Sequence, residues 1–368
     1  MPPLPWRSVR GDGQPPRWIE ADDRLTADEA YRLVSQGSGI LWRGDYHGAR
    51  QLLQAMGRRI DKRRNRAGKA PPTESSRAIF NAYRLAQAQR ARMLALLAVP
   101  VQDGTIPLGR APDAQAALAA ALDDASGEFA LPLVDVLAAI SAAEWRKNGV
   151  PIAALDGARI HPHFGVFPPT RQDYIDLVAN TPLPGGLNPA GTAFDIGTGS
   201  GVLAAVLARR IQRVVATDNA PRAVACAIEN IARLGLADRV AVEERELFPE
   251  GLADLIVCNP PWLPGTAATS LESAVYDPNS RMLRSFLDGL GEHLNEDGEG
   301  WLVMSDLAER LELRAPGELA GMISSAGLAV RGRNDTRPSH ARARDTADPL
   351  HFARKDEIVS VWRLGRAN

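Results

Sequence analysis

The residues best suited to chemistry form the tetrapeptide Asn259-Pro-Pro-Trp262, which follows the apolar run DLIVC. An amide or ring-amine nitrogen has its lone pair delocalised into a π-system, so it reacts only when that lone pair is aimed at an electrophilic carbon. The Asn259 side-chain oxygen and the Pro260 carbonyl can accept its two N–H bonds and stabilise the positive charge that develops there. The prolines make these acceptors rigid, and Trp262 offers an aromatic face to a planar substrate. The tetrapeptide therefore predicts a site for a planar amino nitrogen.

A second candidate feature is the glycine-rich loop DIGTGSG, which lies between an apolar run and a helix-forming run. Glycines let a backbone take positive φ and approach a ligand closely, and the following helix N-terminus offers unpaired N–H groups. Seventeen residues after the loop stands Asp218, whose carboxylate can accept hydrogen bonds from both hydroxyls of a ribose. The pattern predicts a nucleotide-type cofactor, and its candidate contacts are Asp195, Gly197, Thr198, Gly199, Gly201, Asp218 and Asn219, together with Asn259 of the tetrapeptide.

Two cofactors are compatible with the loop. The spacing Gly199-x-Gly201-x-x-Ala204 also satisfies the dinucleotide pattern, so NAD stays open on the glycines alone. Asp195 places a carboxylate beside the loop, where it would repel a pyrophosphate but could receive the ammonium group of a methionine moiety. The neighbouring residues therefore favour S-adenosylmethionine.

From about residue 160 onward, short apolar or β-branched runs alternate with helix-forming runs. This alternation predicts a parallel sheet of seven strands with helices on both faces, and it places the tetrapeptide at the carboxyl end of the fourth strand. The later elements are expected as strands at about 299–304, 328–334 and 358–363, and as helices at 281–294 and 306–326, the last interrupted at Pro316.

The N-terminal half is predicted to be a mainly helical domain. Thr26 and Glu29 have the spacing of a capping box, and helices are expected at about 26–36, 77–98, 112–123 and 131–147, with a short strand within 39–46. We expect an N-terminal substrate-recognition domain over residues 1–155 and a catalytic domain over residues 156–368.

The net charge of −1 conceals an uneven distribution. Residues 1–150 hold 21 basic and 16 acidic side chains, residues 151–368 hold 22 and 28, and residues 43–92 alone hold 13 basic against 3 acidic. The composition excludes a chain that is basic throughout, but it leaves a nucleic-acid partner admissible.

Two cysteines, Cys226 and Cys258, exclude a disulfide framework and a four-cysteine zinc site. His161 and His163 have no accompanying ligand cluster, so no metal is expected. The chain has no apolar leader and no run long enough for a membrane span, and we expect a cytoplasmic protein.

The motifs DIGTGSG, Asp218, Glu246-Leu-Phe248 and NPPW occur in the order of a known family. Residues 160–364 resemble a class I S-adenosylmethionine-dependent methyltransferase, specifically the small-domain and HemK-type amino-methyltransferases with an (N/D)PP(Y/F/W) motif. The resemblance implies a seven-stranded Rossmann-like sheet, S-adenosylmethionine as cofactor and methylation of nitrogen. It also implies that Glu246 lies near the adenine amino group, and that the segment 164–178 covers the methionine end of the cofactor, with Phe167, Thr170 and Arg171 as candidates.

The motif serves two acceptor classes, a protein glutamine amide, as in enzymes acting on release factors, or the exocyclic amine of an RNA or DNA base, such as adenine N6 or guanine N2. The loop 263–280 is expected to close over the substrate, with Tyr276 and Asp277 as candidates, and the segment 337–351 is a second basic segment that could contact nucleic acid. Two alternatives remain, an NAD-dependent oxidoreductase and a catalytically silent protein that binds cofactor and nucleic acid.

Overall fold

The computed structural model describes residues 4–66, 75–185, 187, 190–267, 269, 272–338 and 341–367. It divides into two compact units, Met1–Glu144 and Trp145–Asn368. The assignment of residues 1–155 to recognition and of residues 156–368 to catalysis stays a prediction. Among the described helices, none is both long enough and apolar enough to cross a membrane.

The first unit combines helices with a sheet. Its elements are β1 (Arg17–Ala21), α1 (Ala27–Ser35), β2 (Ser38–Trp42), α2 (Tyr46–Arg66), α3 (Ser76–Ala95), β3 (Leu97–Gln102), α4 (Gln115–Ala121) and β4 (Glu128–Pro132), and α5 (Leu133–Asn148) begins in it. The four strands pair in the order β1-β2-β3-β4, with only the β3–β4 pair antiparallel.

The predicted helices of this unit and the strand within 39–46 are confirmed, but the expectation of a mainly helical domain missed most of the sheet. Strand β3 is buried along nearly its whole length, so it reads as a continuous apolar run without a strand's alternation. β3 also follows α3 after a single residue, so the helix predicted over 77–98 included the first two residues of β3. The capping box at the start of α1 is present, with the Glu29 N–H donating to Thr26 Oγ1 at 3.3 Å.

The second unit is built on the predicted seven-stranded sheet. Its further elements are β5 (Val150–Pro151), β6 (Arg159–Ile160), α6 (Asp173–Asn180), β7 (Thr192–Ile196), α7 (Val202–Ala208), β8 (Arg213–Asp218), α8 (Pro221–Arg233), β9 (Val240–Glu244), β10 (Ala253–Cys258), α9 (Arg281–His293), β11 (Leu294–Ser305), α10 (Leu307–Arg310), α11 (Glu318–Ser325), β12 (Leu328–Thr336), α12 (Ala341–Arg344), α13 (His351–Arg354) and β13 (Val359–Arg366). The break predicted at Pro316 separates α10 from α11.

The sheet order is β12-β13-β11-β10-β7-β8-β9. The five strands from β11 to β9 pair in parallel, and β13 pairs antiparallel with both β11 and β12. Side chains of α6, α7 and α8 form the core on one face, and those of α9 and α11 form the core on the other. This arrangement confirms a mostly parallel sheet covered on both faces.

The segment before α6 is fastened to α8, the helix that packs behind the glycine-rich loop. Asn230 is fully buried, accepts the His161 N–H at 2.7 Å, and donates to the Ser200 carbonyl at 3.1 Å. One residue earlier, Glu229 contacts His163 Nε2 at 2.7 Å. These bonds hold the end of the glycine-rich loop that leads into α7. Breaking them would leave the buried Asn230 amide and its partners without hydrogen bonds, which is energetically costly.

We predict that Glu229 makes the second unit sensitive to acid. Burial raises the pKa of Glu229, but hydrogen bonds from Arg233, His163 and Arg146 outweigh it and lower the pKa to about 2. Its ionised form therefore stabilises the fold above the ordinary value of 4.5, and that stabilisation is lost as the pH falls toward 2. In urea unfolding near neutral pH, Glu229→Gln should be less stable than the unmodified protein, and the difference should close between about pH 5 and pH 2.

The matched control is Glu250→Gln, because the Glu250 side chain is 90% exposed and its ion pair with Arg245 is 3.5 Å long. It should unfold like the unmodified protein throughout that range. A stability difference for Glu229→Gln that stays constant with pH would contradict the assignment.

Candidate active site

The two candidate motifs lie side by side because their strands are neighbours in the sheet. Strands β7 and β10 pair in parallel, with Val257 opposite Asp195 and Cys258 opposite Ile196. The next residues along the two strands are Asn259 and Gly197, so the tetrapeptide and the glycine-rich loop begin at the same edge. Chain order reverses between these strands, since β8 and β9 lie on one side and β11 on the other. Open α/β sheets bind their ligands at such a switch point.

The three glycines of the loop have different surroundings. Gly197, Gly199 and Gly201 all have positive φ, at 71°, 57° and 81°. A Cβ on Gly201 would lie 3.2 Å from the Ala227 backbone of α8, so this position needs glycine for packing as well as for conformation. A Cβ on Gly199 would meet nothing within 4 Å, so a ligand can approach the backbone there.

Asp218 joins the glycine-rich loop to the loop that follows β8. Its Oδ2 accepts the Gly199 N–H at 2.9 Å, and its Oδ1 accepts the Ala220 N–H at 3.0 Å. Each carboxylate oxygen has room for a second hydrogen bond, so both can still accept from a ligand hydroxyl. The neighbouring candidate Asn219 is exposed beside it.

Asp195 lies beneath the loop, with only 1% of its surface exposed. Burial raises its pKa to about 6, against the hydrogen bonds from Thr198 and the Ala204 N–H that lower it. The Thr198 hydroxyl donates to Asp195 Oδ2 at 2.6 Å. The geometry gives this carboxylate a part in holding the loop, and its predicted contact with a ligand ammonium stays a prediction.

Asn259 and Trp262 contact each other. The Trp262 indole N–H donates to Asn259 Oδ1 at 2.8 Å and to the Val303 carbonyl at 3.2 Å. The amide oxygen predicted to meet an acceptor nitrogen therefore has one partner within the chain and a second lone pair available. The tetrapeptide is thus fastened to the end of β11 through a ring nitrogen that tyrosine and phenylalanine lack.

The Trp262 ring is more enclosed than expected for an open stacking surface. The Arg171 guanidinium lies over it at 4.7 Å from the ring centroid, and Tyr174 meets it edge-on at 6.4 Å. Cations and aromatic edges both favour the electron-rich face of an indole. One face is therefore covered by Arg171, and only the remaining surface could meet a substrate.

Arg171 is held by two carboxylates. Its Nη1 donates to Glu357 Oε1 at 3.0 Å and its Nε donates to Asp173 Oδ1 at 3.1 Å. Glu357 is 1% exposed and also accepts the Ser305 hydroxyl at 2.7 Å. Burial alone would lower the pKa of Arg171, but the hydrogen bonds to Asp173 and the charge of Glu357 outweigh it, so the net shift is upward.

Sequence reasoning found Arg171 but missed Glu357 and Ser305. Glu357 stands 186 residues after Arg171. An ion pair between residues so far apart in the sequence leaves no recognisable spacing pattern. Only the position of β13 beside β11, which sequence periodicity does not report, brings the two side chains together.

Several other candidates lie at the periphery. Glu246 is exposed and forms an ion pair of 3.6 Å with Arg281. Phe167 is 38% exposed, and Thr170 is exposed as well. These surroundings leave both residues free to meet a ligand, and their roles stay predictions.

The two ends of the loop 263–280 are hydrogen-bonded to each other, and its second end is also bonded to α9. Leu263 donates to the Val275 carbonyl at 3.1 Å and accepts the Asp277 N–H at 2.9 Å. Asp277 is buried and accepts the N–H groups of Met282 and Leu283, both at 3.1 Å, so it caps α9. Asp277 therefore has a structural role at the start of α9, and the expectation that it contacts a substrate on a closing loop stays a prediction. Residues 268, 270 and 271 of this loop lie outside the described residues, as does His340 of the segment 337–351.

A metal centre is not formed by the part of the chain that the structure describes, where no group of three or more His, Cys, Asp or Glu side chains could hold an ion. His163 contacts Glu229, and His161 Nδ1 lies 2.6 Å from the Arg146 carbonyl. Burial raises the pKa of Cys258 well above its ordinary value, which keeps this thiol neutral.

Residues 157–313 match the model of the methyltransferase small domain family. The release factor glutamine methyltransferase of Cereibacter sphaeroides is 32% identical over 157 residues, which are 38% of this chain and 54% of that protein. The ribosomal protein uL3 glutamine methyltransferase of Bordetella pertussis is 32% identical over 133 residues, or 35% and 40% of the two chains. The alignments thus span about half, or less, of the length of these curated relatives.

Among solved structures, the ribosomal protein L11 methylase from Lactobacillus delbrueckii subsp. bulgaricus aligns with a TM-score of 0.38 at 19% identity, over 58% of this chain and 88% of that chain. The fold assignment rests on the strand order described above. The family match supports S-adenosylmethionine as the cofactor rather than NAD, and the contact of the loop after β7 with it stays a prediction. Over residues 157–313 the chain is thus similar to the methyltransferase small domain family, and this match together with the glutamine methyltransferase relatives supports a class I S-adenosylmethionine-dependent methyltransferase.

Proposed function

We propose that this protein is an N-methyltransferase that acts on a planar amino nitrogen. The observation that supports the proposal is the pairing of β7 with β10, which starts the glycine-rich loop and Asn259-Pro-Pro-Trp262 at one edge of the sheet. S-adenosylmethionine supplies an electrophilic methyl group on a sulfonium centre. The residues of the chain then have to hold the cofactor on the β7 side and the acceptor nitrogen on the β10 side.

On the cofactor side, the open backbone at Gly199 and the carboxylate of Asp218 are the proposed contacts. Asp218 already accepts the Gly199 N–H, so the acid that would receive the ribose hydroxyls also holds the loop. On the acceptor side, Asn259 Oδ1 and the Pro260 carbonyl accept the two N–H bonds of the nitrogen. This turns the lone pair toward the cofactor side and stabilises the positive charge that develops. The extra proton leaves after transfer, so no strong base is needed in the site.

We further propose that the acceptor is the side-chain amide of glutamine in a protein. The relatives named above are glutamine methyltransferases of a release factor and of a ribosomal protein. An amide presents a planar NH2 group with two donors, which matches the two acceptors of Asn259 and Pro260. The exocyclic amine of a nucleic-acid base has the same donor pattern, and the experiment below separates the two.

The mechanism predicts that Asn259→Ala lowers methyl transfer by about a hundredfold or more, while affinity for S-adenosylhomocysteine stays within about tenfold. The fold should tolerate the change, because the Trp262 N–H keeps its bond to the Val303 carbonyl. The assay transfers label from radiolabelled S-adenosylmethionine to an extract of cells that lack the protein. Binding of S-adenosylhomocysteine is measured by calorimetry.

The labelled macromolecules are then digested separately with protease and with nuclease. Release of label by protease supports the glutamine acceptor, and release by nuclease overturns it in favour of a base amine. Activity retained in Asn259→Ala would contradict the catalytic role of the tetrapeptide.

The cofactor site predicts a separate loss. Asp218→Ala removes the acceptor for Gly199 and for the ribose, so S-adenosylhomocysteine should bind at least about tenfold more weakly. Asp238→Ala changes the charge equally at an exposed position and should bind normally. Calorimetry on both variants, with thermal unfolding as a check of folding, tests this; unchanged affinity in Asp218→Ala would remove Asp218 from the site.

The bond between Trp262 and Asn259 predicts a loss in turnover. Trp262→Phe keeps an aromatic ring but loses the N–H that holds the Asn259 oxygen, so kcat should fall about tenfold while KM changes less than about threefold. Trp145→Phe removes the indole of a half-exposed residue as a matched control. A steady-state comparison with unchanged kcat in Trp262→Phe would show that the indole N–H does not position Asn259.

A further inference from the structure

Helix α2, in the first unit, carries far more positive than negative charge. Its 21 residues contain one acidic side chain, Asp61, and seven basic ones, which are Arg50, Arg58, Arg59, Lys62, Arg63, Arg64 and Arg66. The excess of six positive charges lies on one element of a chain whose total charge is −1. The opposite side of the helix is committed to the core, where Ala49, Leu52 and Met56 are buried.

Four of these cations share one face of the helix and form a groove. Arg58, Arg59, Lys62 and Arg63 follow one another at the spacing of successive helical turns, and with Ala55 and Asp28 they line a groove of about 370 Å³. Asp28 belongs to α1, which packs against α2. The lining therefore contains four positive side chains and one negative side chain.

The carboxylates nearby do not neutralise this groove. Asp28 forms an ion pair with Arg59. Asp61, on α2 itself, is not part of the lining and accepts from Arg90 of α3 at 3.1 Å. Within the described ranges, neither Arg58 nor Lys62 has a recorded carboxylate partner.

The arrangement of these cations is better explained by binding of an external anion than by simple exposure to solvent. Like charges four residues apart destabilise a helix, and both Arg58 with Lys62 and Arg59 with Arg63 have this spacing. Arg63 is held with its guanidinium 4.6 Å from the Tyr31 ring centroid, so part of the cluster is ordered before any ligand arrives. Phosphate satisfies such a cluster, because guanidinium groups bind phosphate oxygens through paired N–H donors.

We propose that this α2 groove binds the phosphate backbone of a single-stranded nucleic acid. The cations from Arg58 to Arg63 extend over about one and a half helical turns, so they can meet consecutive phosphates rather than one isolated anion. A membrane surface fits less well, because the apolar side of α2 is buried and offers nothing to insert between lipids. The inference concerns the first unit alone and goes beyond the proposed methyl transfer, so either can fail without the other.

The test measures binding of the full chain to a labelled single strand of about 12 nucleotides, made once as RNA and once as DNA, by fluorescence anisotropy over a series of salt concentrations. The groove variant is Arg58→Gln with Lys62→Gln, two lining cations that have, among the described residues, neither a carboxylate partner nor the ring contact that Arg63 makes. The matched control is Arg17→Gln with Arg24→Gln, which loses the same charge from exposed residues that do not line the groove.

The groove variant should bind about tenfold or more weakly at low salt, and its slope of log affinity against log salt should fall by about 1.4, while the control changes less than about twofold. Its thermal midpoint should not drop, because a pair of like charges has been removed. Preference for RNA or for DNA identifies the sugar and supports the proposal in either case.

Three results would overturn the proposal. One is the absence of binding to either strand at about 50 mM salt. Another is equal weakening by the groove variant and the control, which would indicate a nonspecific charge effect. The third is a groove variant that loses binding to vesicles containing phosphatidylserine but binds nucleic acid as before. In each variant, circular dichroism separates a binding loss from a folding failure.

Discussion

The parallel pairing of β7 with β10 is the interaction on which the rest of the second unit depends. A one-residue shift in this register would exchange the faces of every side chain on the strand, and it would move Asn259 away from Gly197. The register is held by burial, since Leu255, Ile256, Val257 and Cys258 are all fully buried between the helices of the two faces. The strand core and the site therefore share one constraint, because the residues that fix the register precede the tetrapeptide directly.

A second constraint is the set of contacts that Arg171 makes beside this sheet edge, where charged side chains are buried next to aromatic rings. Arg171 contacts Asp173, Glu357 and the Trp262 ring, and it joins segments before α6 and β13 to the tetrapeptide. Buried ion pairs contribute little net stability because desolvation offsets attraction, yet losing one partner is costly. Such a network favours one arrangement over its competitors rather than adding much stability. It suits a place where the direction of a side-chain oxygen matters more than the strength of any one bond.

Much of the second unit could be predicted from its sequence because its elements are local and strongly periodic. Glycines at positive φ, a carboxylate at the end of β8 and the tetrapeptide at the end of β10 all follow from short segments, and the structure places them at one edge. Most of the sheet of the first unit was not found, and β3 was missed because it is an apolar run that follows α3 almost directly. The partners of Arg171 and the capping role of Asp277 were not found either. Both depend on which other segment of the chain lies beside the residue, and the periodicity of apolar residues does not report such contacts.

Trp262 contributes an indole N–H donor to the tetrapeptide in addition to its aromatic face. An indole carries its N–H at the edge of the ring system, whereas phenylalanine has no donor and tyrosine has its hydroxyl at the far end of the ring. Only the indole can therefore place a donor on Asn259 Oδ1 while its ring lies against Arg171. The shared oxygen gives up part of its capacity to accept from a substrate, but it gains a fixed direction. In the proposed reaction a fixed direction of the Asn259 oxygen matters more than its full capacity to accept hydrogen bonds, because a delocalised nitrogen reacts only in a narrow range of orientations.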